Sequence, residues 1–340
     1  MDINFDIQIE ETLKAYRASG VEDQVDYQKF YLYSIVTHST AIEGSTVTEI
    51  ENQLLFDEGI AAKGRSLTEQ MMNVDLKDAY LYAFRIASEN PTYTSQLLQQ
   101  MSALVMRRTG SEYSTIAEHF DSSNGEFRLC NVSAGIGGRS YLAYNKVPRA
   151  VDEFCRWLNE EIAKADKTNI ATCYRLSFEA HFRLVTVHPW VDGNGRTTRL
   201  VMNMIQRQLG LVPSIVRKED KGEYIQSLVD SRENDDSTIA QNVMLRHHIA
   251  NLNRRVSQYQ ENDTVNDTAN ANNDTVTGLK KSLQKVYRAI LNNPEITHSE
   301  IMETLHISES TAKRATRDLK KLGYIAREGS DKTGKWIILK

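Results

Sequence analysis

Twelve residues from His188 to Arg199, HPWVDGNGRTTR, carry an imidazole, a carboxylate, an asparagine between two glycines, and two guanidinium groups. Apolar residues at helical spacing follow at once (Leu200, Val201, Met204, Ile205 and Leu209), so the stretch is expected to be a loop ending at a helix N-terminus. Free backbone N–H groups and the helix dipole favour an anion there. Gly193 and Gly195 lack the Cβ atoms that would keep an oligophosphate from those amides. Arg196 and Arg199, three apart in the first turn, share a face and can hold different phosphate oxygens bidentately. Asp192 is placed to hold the divalent cation that accompanies a nucleoside triphosphate. His188 is the natural general base, able to take a proton from an incoming hydroxyl near neutral pH. The spacing describes a phosphate site with its own base.

Several elements must hold that string in place. Asn169 to Val187 reads as a long helix that delivers His188, with Cys173, Leu176, Ala180 and Leu184 as its core stripe and His181 packed among them. Gly210 and Pro213 close the helix that follows the motif. Upstream, YQKFYLYSIVTH (27–38) reads as a buried helix running into STAIEGSTVTEIENQLLF. There Ser39 and Glu43 lie four apart, Gly44 ends the helix, and Thr46 or Thr48 caps the next one. Residues 60–120 are expected to be helical throughout, with His119 on the surface or packed in the core. Between Asp121 and Val147 the glycines at 125, 135, 137 and 138 punctuate short β-like runs, which suggests a small hairpin. Pro148 opens another helix, with Val151, Phe154, Cys155 and Leu158 on one face. His247 and His248 are neighbours whose side chains point different ways on a helix, so they form no metal site.

The string from His188 to Arg199 resembles the signature of the Fic (Fido) family, His-x-Phe-x-Asp/Glu-Gly-Asn-Gly-Arg-x-x-Arg, with Trp190 in place of the Phe. The resemblance covers roughly residues 27–230. It implies an all-α fold, in the main, with a small β-hairpin flap over the site at Phe127–Arg128 and Val132–Tyr144. It also implies transfer of AMP from ATP, with Mg²⁺, to a Ser, Thr or Tyr hydroxyl of a target protein. In that picture His188 deprotonates the target and Asp192 binds Mg²⁺. Asn194 and the amides of Gly193 and Gly195 hold the α-phosphate, and Arg196 and Arg199 the outer phosphates. Tyr224 either packs in the core or lines the adenine pocket. Taken by itself, Glu43 before Gly44 is a solvated helix end. Beside the core string, Ser39-x-x-x-Glu43-Gly44 resembles the family's inhibitory motif, whose glutamate pairs with the second arginine, here Arg199. Two other functions stay open: removal of AMP by the same site, and a regulator in which the fold only senses nucleotide. Intact His188 and Asp192 speak against the last. No Gly-x-x-x-x-Gly-Lys-Ser/Thr string competes, and Gly193 stands where a phosphorylating relative would carry lysine.

With 340 residues, 40% hydrophobic and 25% charged, the chain suits about two globular domains. Cys130, Cys155 and Cys173 lack metal-binding spacing and are expected to be reduced, packed thiols of a cytoplasmic protein. No signal peptide or membrane span is expected. Residues 1–60 should hold an N-terminal helical segment with the inhibitory helix, 61–258 the catalytic domain, and 259–277 (rich in Asn, Asp and Thr) a flexible linker. From residue 279 onward, 13 Lys/Arg face 7 Asp/Glu, whereas the whole chain is net −4. Here Leu279, Leu283, Val286 and Ile290 mark one helix, the Thr297–Glu300 capping box opens a second, and Ser308 caps a third. The third turns Ala312, Ala315, Leu319 and Leu322 inward and Lys313, Arg314, Arg317, Lys320 and Lys321 outward. Gly323 stops it, and a hairpin turning at 329–332 completes what looks like a winged helix over 278–340. Such a module binds DNA or a protein partner; DNA is the leading expectation. A homodimer is left open.

Overall fold

The computed structural model describes residues 4–115, 118–134, 139–268, 281–305, 307–329 and 334–339, with backbone alone at 261–268 and 281–282. Helices begin where side chains can cap them. α1 (Phe5–Ala18) starts at Asn4, whose side chain accepts from the amides of Asp6 and Ile7. α2 (Tyr27–Ile42) is buried over most of its length and stops at Glu43, after which Gly44 takes φ +104°. Thr48, of the two candidate caps, opens α3 (Glu49–Glu58) with a reciprocal capping box to Glu51. Ser66 and Glu69 repeat the device at α4 (Leu67–Ala87), and Thr94 caps α5 (Ser95–Met106).

The helical expectation for 60–120 fails beyond Met106. Glu112–Ser114 (β1) pairs antiparallel with His119–Asp121 (β2), and Tyr113 stacks on Phe120 at 5.3 Å. Strands of three residues are too short to show alternation. His119 is an exposed strand residue bonded to Ser114. The hairpin expected between 121 and 147 is a second, smaller one, with a bridge from Ser133 to Ser140 and bonds joining Ala134 to Arg139 and Tyr141 to Val132. Gly135, Gly137 and Gly138 lie outside the described residues.

α6 (Val147–Lys164) carries Pro148 in its first turn, α7 (Ile170–Val187) is capped by Asn169, and α8 (Asn194–Gln208) lies against α7, α4 and α5. α8 is buried almost all round, as suits the central helix of a helical body. Its polar groups find partners: Asn203 donates to the Tyr80 hydroxyl at 3.0 Å, and Gln206 to Ser177 and Ser214. α9 (Lys221–Glu233) and α10 (Thr238–Thr268) follow. The expected linker gives way over 259–268, where α10 continues; residues 269–280 lie outside the described part. Cys155 and Cys173 are buried as expected, whereas Cys130 is only half-buried.

A polar hub fastens the end of α2. Asn52 of α3 donates to Thr37 (2.7 Å) and to the Asn73 side-chain oxygen (2.9 Å); Thr40 donates to the same oxygen, and Asn73 donates to Ser45. All five residues are buried, so three helices are locked around the turn that follows Glu43.

By contacts the chain forms two units, Met1–Glu22 with Asp26–Ser257, and Asp23–Val25 with Gln258–Lys340. In the second, α11 (Lys281–Asn292), α12 (His298–Leu305), α13 (Glu309–Lys321) and the hairpin β3 (Ile325–Glu328) and β4 (Lys335–Ile338) surround a core that includes Val286, Ile290, Leu319 and Trp336. Ala312 and Ala315 face this core, but Leu322 is 50% exposed, because it caps α13 where the chain turns away. Leu279 and residues 330–332 of the expected turn lie outside the described residues. Among the described residues no helix is long and apolar enough to cross a membrane.

Candidate active site

α7 ends with His188 in the left-handed region, φ 52° and ψ 64°, where a Cβ is unfavourable. The turn lifts the imidazole out of the helix and against Tyr141 of the small hairpin, with ring centroids 3.9 Å apart and planes within 16°. Burial pushes the His188 pKa down to about 4, with the Arg128 and Arg232 charges acting in the same direction. The imidazole is therefore neutral at neutral pH, as a proton acceptor must be.

Trp190 pins the loop. Its ring is fully buried, and the indole N–H donates to the Gly125 carbonyl at 3.0 Å. The Asn194 side chain accepts from the Trp190 amide (3.1 Å) and donates to its carbonyl (2.8 Å). One Asn194 N–H is thus engaged within the loop; the second N–H of the same amide leaves the expected α-phosphate contact open. Gly193 takes φ +74°, and a Cβ on it would sit 2.5 Å from the Met106 sulfur. A Cβ on Gly195 would run into the Glu43 carboxylate.

Both arginines are buried, Arg196 at 2% and Arg199 at 3% exposure. Arg199 donates from Nε to the Ser39 hydroxyl (2.9 Å), and from one terminal nitrogen to the Ser39 carbonyl (2.9 Å) and to Glu43 Oε1 (2.6 Å). Burial opposes the charge on each, but the pairing wins: Glu43 lies below the ordinary carboxyl range and Arg199 above the ordinary guanidinium range. Ser39, Glu43 and Arg199 thus come together as the motif spacing suggested. Arg196 has only the Met106 sulfur at 3.3 Å and Asp192 at 3.7 Å, and its Nε and one terminal nitrogen are buried without a partner. Asp192 is 58% exposed and accepts from the Gly193 amide at 2.6 Å. Tyr224 is fully buried, so it backs the site as core. Its hydroxyl pairs with His181 Nε2 at 2.8 Å and lies within hydrogen-bonding reach of Arg199. Among the described residues no cluster of three His, Cys, Asp or Glu could hold a metal, and His247 and His248 go separately to Glu223 and Tyr174.

Sequence reasoning placed Arg128 in the expected flap but gave it no role. It is fully buried, and its guanidinium donates to the carbonyls of His188 (2.8 Å), Cys130 (2.8 Å) and Leu142. An arginine four residues before the first paired residue of the hairpin, Val132, carries no signal of this. Asn52 and Asn73 were equally silent.

Residues 92–206 match the Fic/DOC family, and residues 279–326 match the winged helix-turn-helix DNA-binding family. Curated relatives named protein adenylyltransferase Fic, from Drosophila erecta and Drosophila melanogaster, are 28% and 29% identical over 205 residues, 59% of this chain. The chain spans 37% of the length of these relatives. In fold it is similar to a Fic family protein from Desulfovibrio desulfuricans (TM-score 0.62, 19% identity, covering 98% of this chain and 94% of that one). A Fic domain containing signaling protein from Bacteroides thetaiotaomicron gives TM-score 0.61 at 19% identity, covering 74% of this chain and 95% of that one. Residues 92–206 therefore resemble a Fic/DOC domain, within a mainly helical fold shared with these structures, and residues 279–326 resemble a winged helix-turn-helix module.

Proposed function

We propose that the site transfers AMP from ATP to a Ser, Thr or Tyr hydroxyl of a target protein, and that Glu43 holds it in check. One observation carries the reading: two buried guanidinium groups flank a helix N-terminus beside a neutral imidazole, and one of them has nitrogens awaiting an acceptor. Burying such a group without a partner costs on the order of 1–3 kcal/mol, which a phosphate oxygen would recover. Arg196 and the amides that open α8 hold the phosphates. His188 accepts the hydroxyl proton as the oxygen attacks the α-phosphorus, and pyrophosphate leaves. A single exposed carboxylate fits Mg²⁺, which binds through one or two carboxylates plus phosphate and water oxygens. Asp192 would hold the ion, and the ion would offset charge on the outer phosphates.

Arg199 cannot serve the outer phosphates while it is bound to Ser39 and Glu43, and the Glu43 charge beside Gly195 repels them. Misalignment by about 1 Å can cost on the order of 10²-fold. Glu43→Gly should therefore raise self-labelling from radioactive ATP and Mg²⁺ by at least about tenfold, about 1.4 kcal/mol. An unchanged rate would sink the inhibitory role of Glu43. If the unaltered chain cleaves AMP from labelled protein and the variant does not, removal of AMP becomes the leading activity.

For the C-terminal module, the resemblance to DNA-binding winged helices and the exposed Lys313, Arg314, Arg317, Lys320 and Lys321 support duplex DNA as partner. Titrating the full chain with random duplex at rising salt tests this. Binding should weaken steeply, by roughly 0.9 in log affinity per log salt for each phosphate neutralised.

A further inference from the structure

The base of the hairpin that carries Tyr141 and the turn that carries His188 share one anchor. Arg128 donates from Nε to the His188 carbonyl, and from its two terminal nitrogens to the carbonyls of Cys130 and Leu142. Its own amide donates to the Pro189 carbonyl at 3.0 Å. Cys130 and Leu142 flank the two arms of the hairpin, just outside the Val132–Tyr141 bond and the Ser133–Ser140 bridge. Among the described residues no carboxylate pairs with this guanidinium, although it is fully buried. A buried charge resting only on carbonyl dipoles is costly, and burial lowers its pKa. An apolar residue would leave three partly buried carbonyls without this donor; a lysine would reach them as a point charge, without the planar fork.

We infer that Arg128 is a positioning residue: it fastens the flap to the His188 turn, so that the imidazole and the Tyr141 ring stacked on it are set by one group. The left-handed turn at His188 (φ 52°) is a strained conformation for a residue with a Cβ and gains from such support; its amide bonds the Leu184 carbonyl at 3.2 Å and its imidazole lies within hydrogen-bonding reach of the Val185 backbone. The flap and the turn then open together or not at all. The inference rests on the AMP-transfer reading for its kinetic consequence and on the hydrogen bonds alone for its mechanical one.

The test uses the full chain carrying Glu43→Gly, with and without Arg128→Lys or Arg128→Met. Hydrogen exchange is read over 130–134 and 139–142, over 188–193, and over α7 and α8. In the reference chain the flap base and the turn should exchange as one unit. Arg128→Lys should speed both about tenfold or more while α7 and α8 stay protected. In transfer assays kcat should fall about tenfold or more, with KM for ATP within about threefold. The groups whose charges face the imidazole are Arg128, Arg232 and Glu43. Arg128→Met should therefore also move the acid limb of the rate profile to higher pH, which a purely packing role would not do. Unlinked exchange in the reference chain, faster exchange spread into α7 and α8, or unchanged kcat with loosened segments would each overturn the assignment. If the reference chain transfers no AMP, the transfer reading fails, and the exchange data alone decide the clamp.

Discussion

Arg196 and Arg199 sit one helical turn apart, equally buried, in opposite situations. Arg199 is saturated by Ser39 and Glu43 of the α2 end; Arg196 faces a thioether and a distant carboxylate, with two donors unspent. A folded chain rarely leaves a buried guanidinium unpaired unless something else supplies the acceptor. The contrast separates a cation held by the protein from one held ready for a ligand. On the proposed reading, inhibition acts through Arg199 alone.

The largest effect should come from leaving both arginines intact. In the Glu43→Gly chain, His188→Ala should cut transfer by about 10²-fold or more, the usual worth of a general base, and keep ATP affinity within a few-fold. Retention of a tenth of the activity would remove His188 from that role. Next, calorimetric titration should show Arg196→Ala weakening ATP binding about tenfold whether or not Glu43 is present, as loss of a charge-assisted bond predicts. Arg199→Ala should weaken it only in the Glu43→Gly chain; equal losses would erase the distinction between the two. Stability should split the other way. Chemical denaturation is expected to show Arg199→Met destabilising on the order of 1–3 kcal/mol, because Glu43 is left partly buried and unpaired, and Arg196→Met neutral or stabilising. The smallest effect is with pH. The imidazole gains its proton only near its lowered pKa of about 4, so the Glu43→Gly rate should stay level down to about pH 6 and fall as pH approaches 4. Half-loss at about 6.5, the ordinary histidine value, would show an imidazole in water.

Much of this site was legible because its signals are local. Glycines, an asparagine and spaced arginines before an apolar run mark a loop and helix start, and α8 begins at Asn194. The Ser39–Glu43 spacing placed both on one face of α2, and both reach Arg199. What stayed hidden depends on partners distant in sequence. Arg128 finds its acceptor 60 positions away, and Asn52 meets Asn73 from another helix. Neither contact leaves a period in the sequence. The bond from Asn194 to the Trp190 carbonyl was equally hidden, because it depends on how the loop folds back on itself. β1 and β2 are too short to alternate, and Leu322 follows the apolar stripe into a cap, where the stripe no longer faces inward.

The hub of Thr37, Thr40, Ser45, Asn52 and Asn73 bears on how fast the proposed inhibition could be released. Detaching α2 would break that network and bare a helix buried along most of its length, an event of the microsecond-to-second class. Glu43 needs none of it. Its side chain is one third exposed at the rim, and releasing Arg199 needs only a turn about its own bonds once the ion pair breaks, which is expected to be far faster than moving the helix. If Glu43 restrains AMP transfer as proposed, inhibition is expected to behave as a rapid equilibrium, without memory, activity following effector and nucleotide concentrations with no lag on either rise or fall. To swing the balance from 1:99 to 99:1, an effector must favour the turned-out carboxylate by about 5.5 kcal/mol.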